Sequence, residues 1–162
     1  MSRWRPATPA SSPYITPEGY AYLEKENAEL WEKRKEVTVA ITAAAAEGDR
    51  SENAEYIYRK KQLREIDKRI GYLQRRLPKL NIVKEVQSSD HIFFGAWINL
   101  EDEEGKEYNY RIVGADEFDN NDAYISIDSP LARALIKKQV DDEVIIETAK
   151  GKKQYYVIDI QY

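Results

Sequence analysis

The sequence predicts an α+β protein in two parts: an antiparallel α-helical coiled-coil hairpin, then a compact α+β domain. Three observations lead there. Apolar residues recur at three- and four-residue spacing as far as Leu77, where Pro78 stops the helical pattern. From Ile82 onward the pattern changes to short apolar runs separated by Gly, Asn, Asp and Ser. Charge divides at the same place: residues 1–83 carry 16 Lys and Arg against 12 Asp and Glu, residues 84–162 carry 9 against 17.

At 162 residues the chain suffices for one or two small domains, and its 42% hydrophobic content can build their cores. Charged residues make up 33%, which fits long solvated helix faces. There is no cysteine, which excludes disulfides and thiolate metal sites. A single histidine, His91, argues against a histidine-based zinc site or a Ser-His-Asp triad. No apolar run approaches the ~20 residues that span a bilayer, so no membrane partner is expected. Met1–Pro13 lacks the apolar core of a secretory signal, and a cytoplasmic protein is the expectation.

Residues 1–13 are rich in Pro, Ser and Ala and hold Arg3, Trp4 and Arg5. That composition reads as a flexible tail, whose basic and aromatic residues fit either plain solvation or a nucleic-acid contact. Residues 14–81 read as the hairpin. Thr16-Pro17-Glu18 is a helix start, with Thr16 as cap, Pro17 in the first turn and Glu18 favourable toward the helix dipole. Tyr20, Leu23, Leu30, Val37, Ile41 and Ala44 then form a sparse seam, with Asn27 and Arg34 in its missing positions. The small side chains of Ala43–Ala46 let two helices approach, and Gly48 suits a left-handed helix end. The second helix is expected to begin with Asp49 or Ser51 as its cap. Its seam is Tyr56, Leu63, Ile66, Ile70, Leu73 and Leu77, with Arg59 in the one missing position. Such helices are about 40–45 Å long at 1.5 Å per residue, and the short connection makes them antiparallel neighbours.

Residues 82–162 read as the α+β domain. Phe93–Leu100 is a predicted buried strand, Glu101–Lys106 an acidic turn, and Tyr108–Val113 the second arm of a hairpin. Tyr124–Ile127 is a further strand. Ser129-Pro130 opens a short helix over Leu131–Lys137. Val144–Thr148 and Gln154–Ile160 form a last hairpin about Lys150-Gly151-Lys152.

The candidate residues lie at the hairpin bend, on its second helix, and before the short helix. Asp49 and Glu52, three residues apart, are close enough to grip one divalent cation. The same spacing is also that of a helix cap with an acidic residue three positions on, which needs no metal. Glu47 and Glu55 add more negative charge than a cap requires. Tyr56–Arg76 carries 8 basic against 2 acidic residues, with Lys61, Arg64, Lys68 and Arg75 nearly opposite the apolar seam. This is either a solvated outer face or a track for a phosphate backbone. Ile125–Pro130 fits a strand, a cap and a helix-starting proline. His91 is read as an ordinary loop residue, and Trp97 with Phe93 and Phe94 as core.

Gly48-Asp49-Arg50-Ser51-Glu52-Asn53-Ala54-Glu55-Tyr56 resembles the tip motif of the bacterial Gre transcript cleavage factors. Phe93–Trp97, Tyr124–Leu135 and Leu63–Arg69 look like the GreB branch, and the resemblance runs in order from about Tyr14 to Tyr162. It implies an amino-terminal coiled coil and a carboxy-terminal FKBP-like domain. It further implies a factor, monomeric and inert alone, that docks its globular domain on the rim of the secondary channel of RNA polymerase. The coiled coil then enters the channel, where the polymerase holds a displaced RNA 3′ segment. The family's catalytic and Mg²⁺-binding carboxylates map by motif onto Asp49 and Glu52. The docking loop maps onto Asp128, Ser129 and Pro130. The RNA-contacting basic surface maps onto Arg59, Lys60, Lys61, Arg64 and Lys68. A channel-binding regulator that does not promote cleavage is the alternative, and a free-standing nuclease or isomerase a more distant one.

Overall fold

Two long helices and a five-stranded sheet account for most of the computed structural model, which describes residues 10–48, 53–84 and 89–162. Helix α1 runs Pro17–Ala45 and α2 runs Ala54–Arg76, followed by one 3-10 turn at Leu77–Lys79 that contains Pro78. Thr16 caps α1: the Gly19 amide donates to Thr16 Oγ1 at 3.1 Å. Val37, Ile66 and Ile70 form a buried cluster between the helices, with Leu30, Ile41 and Leu63 partly buried against it. Arg34 in its seam position is compensated across the pair by Asp67, Nε to Oδ1 at 2.7 Å. Arg69 grips Glu26 with two nitrogens at 2.6 and 3.0 Å. Asn27 Oδ1 is buried with no hydrogen-bond partner among the described residues.

The second unit is built on the sheet order β5-β4-β3-β7-β6. Its strands are β3 (Trp97–Asp102), β4 (Glu107–Val113), β5 (Tyr124–Ser126), β6 (Glu143–Thr148) and β7 (Gly151–Gln161), and helix α3 spans Pro130–Leu135. β3 pairs antiparallel with β4 and β7, while β5 lies parallel to β4. Ile98, Leu100, Ile112, Ala132, Leu135, Val144, Tyr155 and Val157 are the buried core of this unit. In the β3–β4 turn, the backbone amide of Lys106 holds the Asp102 carboxyl below its ordinary range, aided by the Glu104 amide and the Tyr108 hydroxyl against some burial.

Four expectations are corrected. The predicted strand Phe93–Leu100 begins only at Trp97. Gly95 takes φ +88°, and Ala96 N bonds to Phe93 O at 3.2 Å, so the run opens with a turn. Phe93 is accordingly 39% exposed and not core, whereas Phe94 packs against the buried cluster. The cap of the second helix is neither Asp49 nor Ser51 but Asn53. Residues 14–19, read as part of the hairpin, pack with the C-terminal unit: the chain divides into Tyr20–Leu80 and Asn81–Tyr162 joined by the segment before Tyr20.

That last correction has a clear physical cause. Tyr14–Ile15 (β1) pairs in parallel with Asn81–Ile82 (β2), and Ile15 is fully buried. Glu117, 2% exposed, accepts bonds from Thr16 N at 2.7 Å, from Thr16 Oγ1 and from Gly114 N at 3.1 Å. Glycine is required beside it: a Cβ on Gly19 falls 2.5 Å from Glu117 Oε1, and one on Gly114 falls 2.1 Å from Tyr14 O. The periodicity of the first helix carries no record of these contacts, because they join residues about 100 positions apart.

Candidate functional site

Among the described residues, Asn53 joins the two helix ends at the bend. Asn53 Oδ1 accepts from Tyr56 N at 3.1 Å, satisfying a free amide of the first turn of α2. Asn53 Nδ2 donates to Ala44 O at 2.8 Å, satisfying a free carbonyl of the last turn of α1. Ala44 is buried beside it, as close helix approach requires. Gly48 follows with φ +142°, positive as expected but beyond the left-handed helical region, and nothing lies within 4 Å of the position of a Cβ. Asp49 and Glu52 lie outside the described residues. Both residues that flank this stretch, Glu47 and Glu55, have exposed carboxylates.

The five basic residues of α2 that map onto the RNA-contacting surface divide by environment. Lys60, Lys61, Arg64 and Lys68 are exposed. Lys61, Arg64 and Lys68 make no ion pair among the described residues. They recur at three- and four-residue spacing and share one helix face. Lys60 Nζ lies 5.8 Å from the centre of the Tyr56 ring. Arg59 differs: its side chain is 29% exposed, Nε meets Glu55 Oε1 at 2.9 Å, and a terminal nitrogen donates to Gln62 Oε1 at 3.0 Å. Its charge in the seam is therefore compensated on its own helix. Ile57 and Tyr58 stand beside this face 53% and 58% exposed, and the Arg59 guanidinium lies 5.6 Å from the Tyr58 ring.

Asp128, Ser129 and Pro130 are brought together where β5 turns into α3. Ser129 is the N-cap of α3, its Oγ accepting from Ala132 N at 3.2 Å, and Pro130 is exposed in the first turn. Asp128 is half-buried, and its carboxylate accepts from both the backbone and the hydroxyl of Ser12. Sequence reasoning missed Ser12 and Glu117, each tied to a partner more than 100 residues away, and no local pattern marks either. Asn53 does carry a signal, since asparagine before an acidic first turn is a good cap.

Among the described residues, no group of three or more His, Asp or Glu is placed to hold a metal ion. Among them, no helix is long and apolar enough to cross a membrane.

Comparison with known proteins adds the following. The family model for the N-terminal domain of transcription elongation factors matches residues 13–82, and the model for the C-terminal domain of the GreA/GreB transcription elongation factors matches residues 87–162. Transcription elongation factor GreB of Pseudomonas aeruginosa is 54% identical over 164 residues, covering 100% of this chain and 98% of that protein. Its counterpart from Xanthomonas axonopodis pv. citri is 53% identical over 165 residues, with 100% and 98% covered. The crystal structure of GreA factor homolog 1 of Thermus thermophilus is 26% identical, covers 92% of this chain and 98% of that one, and superposes with a TM-score of 0.42.

Proposed function

This chain belongs to the GreA/GreB family of transcription elongation factors, in its GreB branch, and from that premise we propose that it rescues backtracked RNA polymerase by stimulating cleavage of the nascent RNA 3′ segment. In this reading the hairpin enters the secondary channel with Asp49 and Glu52 foremost. The globular unit docks on the channel rim through Asp128, Ser129 and Pro130. The observation that carries the reading is the pair of hydrogen bonds made by the Asn53 side chain. These two hydrogen bonds cap α2 and tie it back to Ala44, so the start of α2 has a cap that is neither Asp49 nor Glu52. In this reading their charge has another use.

The donor set fits Mg²⁺, a hard cation that is commonly held by one or two carboxylates together with waters and phosphate oxygens. Asp49 and Glu52 offer such oxygens, too few for a complete site, which matches a factor that completes a site of the polymerase. Asp49 and Glu52 would hold Mg²⁺ there, and the ion would supply a water of lowered pKa and stabilisation of charge developing on the phosphodiester oxygens. Lys60, Lys61, Arg64 and Lys68 attract the phosphates of the displaced RNA, and Arg59, held by Glu55, adds its charge at the end nearest the bend. The protein is not a nuclease by itself.

The test is Asp49→Asn with Glu52→Gln on stalled, backtracked polymerase complexes. The amides preserve size and remove the charge that the cation needs. Cleavage falls to the unstimulated rate while the variant still competes with the wild type for polymerase. Cleavage at the wild-type rate refutes the carboxylate role. A wild-type protein that binds polymerase yet leaves the cleavage rate unchanged is instead a channel-binding regulator, and RNA cut by the isolated protein with Mg²⁺ means a free-standing nuclease.

A further inference from the structure

Asp128 is held from two sides. Its own segment is fixed by Ser126: Asp128 N donates to Ser126 Oγ at 3.1 Å, and Ser129 N to Ser126 O at 2.9 Å. Its carboxylate is fixed from the other end of the sequence, 116 residues away. Ser12 N donates to Oδ2 at 2.9 Å, and Ser12 Oγ donates to Oδ1. The terminal torsion of an aspartate is broad and nearly two-fold when nothing holds it. One residue that reaches both oxygens removes that freedom, with bonds strengthened by the carboxylate charge.

Resting on the reading of Asp128 as a docking residue, we infer that Ser12 is a positioning residue for it, presenting the carboxylate in one orientation to a cationic side chain on the polymerase. The serine hydroxyl and amide order the acceptor before the partner arrives. Binding is then spared the ordering of a side chain, an effect of roughly two- to tenfold in affinity. Ser12 thereby takes part in docking, although it belongs to neither the hairpin seam nor a strand.

The experiment measures two quantities on the full-length protein: the Kd of fluorescently labelled factor for polymerase, and the cleavage rate at saturating factor. Ser12→Ala is expected to raise Kd roughly two- to tenfold and to leave the saturated rate unchanged. Ser12→Thr retains the hydroxyl and should bind as the wild type does. Ser12→Ala combined with Asp128→Ala should bind no more weakly than Asp128→Ala alone, because the serine acts only through that carboxylate. The inference is overturned by wild-type affinity in Ser12→Ala, by additive losses in the double variant, or by a rate that stays low at saturation. Wild-type affinity in Asp128→Ala overturns the docking reading itself, and is recognisable because it appears without any change at Ser12. Affinity is measured directly, so the result stands whether or not the protein stimulates cleavage.

Discussion

Replacing Glu117 by alanine should be among the most damaging single changes in the C-terminal unit. The carboxylate is 2% exposed and receives the Thr16 amide, the Thr16 hydroxyl and the Gly114 amide. Alanine leaves all three donors without an acceptor, and Thr16, 3% exposed, is poorly placed to recover water. A stranded buried donor costs about 1–3 kcal/mol, so three of them set an upper range of about 3–9 kcal/mol. Water entering the vacated space satisfies part of this, and about 3–5 kcal/mol is the expected loss. Glutamine is milder. Its carbonyl can take the two amides, and its NH₂ can donate to the threonine oxygen after the hydroxyl rotates. The loss is then about 1 kcal/mol, the difference between hydrogen bonds to a charged and to a neutral acceptor. Gly19→Ala should share in the damage, because its methyl group must displace the same carboxylate.

Urea unfolding gives the global figure, but two units need not unfold as one. Amide hydrogen exchange at Thr16 and Gly114 is therefore the decisive readout, since both amides end on Glu117. Exchange at these two sites should accelerate in Glu117→Ala before the seam residues Val37, Ile66 and Ile70 lose protection. Stability within about 0.5 kcal/mol of wild type, with both amides still protected, would refute the reasoning and show that Glu117 is replaceable by solvent.

Asn53→Asp keeps the cap acceptor for α2 and loses the donor to Ala44. It should lower hairpin stability by about 1 kcal/mol, read as faster exchange near the bend, and equal stability would mean that the Ala44 bond contributes nothing. Neutralising Lys60, Lys61 and Arg64 together should slow cleavage of long displaced RNA more than of a dinucleotide, because a short segment offers few phosphates. Each lost contact lowers the salt dependence of binding by about one unit of slope or less, and an equal loss at every RNA length would reduce the stripe to a solvated helix face.

The parts of this fold that were legible in the sequence are those governed by local period. The seam positions Leu23, Val37, Ile66, Ile70 and Leu73 are buried where spacing placed them. Periodicity reports which face of an element is covered, and two facing stripes of matching length leave little choice of partner. It does not report contacts such as Thr16 with Glu117 or Ser12 with Asp128, where one polar side chain meets another across the whole chain. Composition misled in one place for a related reason. Phe93-Phe94 continues the apolar run into Trp97, and the positive φ of Gly95 with the Ala96–Phe93 hydrogen bond shows that the run turns before it becomes a strand.

The bend shows a finer limit. Asp49, Ser51 and Asn53 are all competent caps, placed every second residue, and propensity barely separates them. What decides is that the bend has two helix ends to satisfy, one short of an acceptor and the other short of a donor. A carboxylate offers only acceptors, and a serine hydroxyl is too short to span both ends, whereas an amide carries one group of each kind at the end of a longer side chain. Asn53 therefore takes the cap, bonding forward to Tyr56 and back to Ala44. With Asn53 as the cap, the start of α2 has an acceptor that is neither Asp49 nor Glu52. In the proposed reading, their charge serves a divalent cation supplied by a partner.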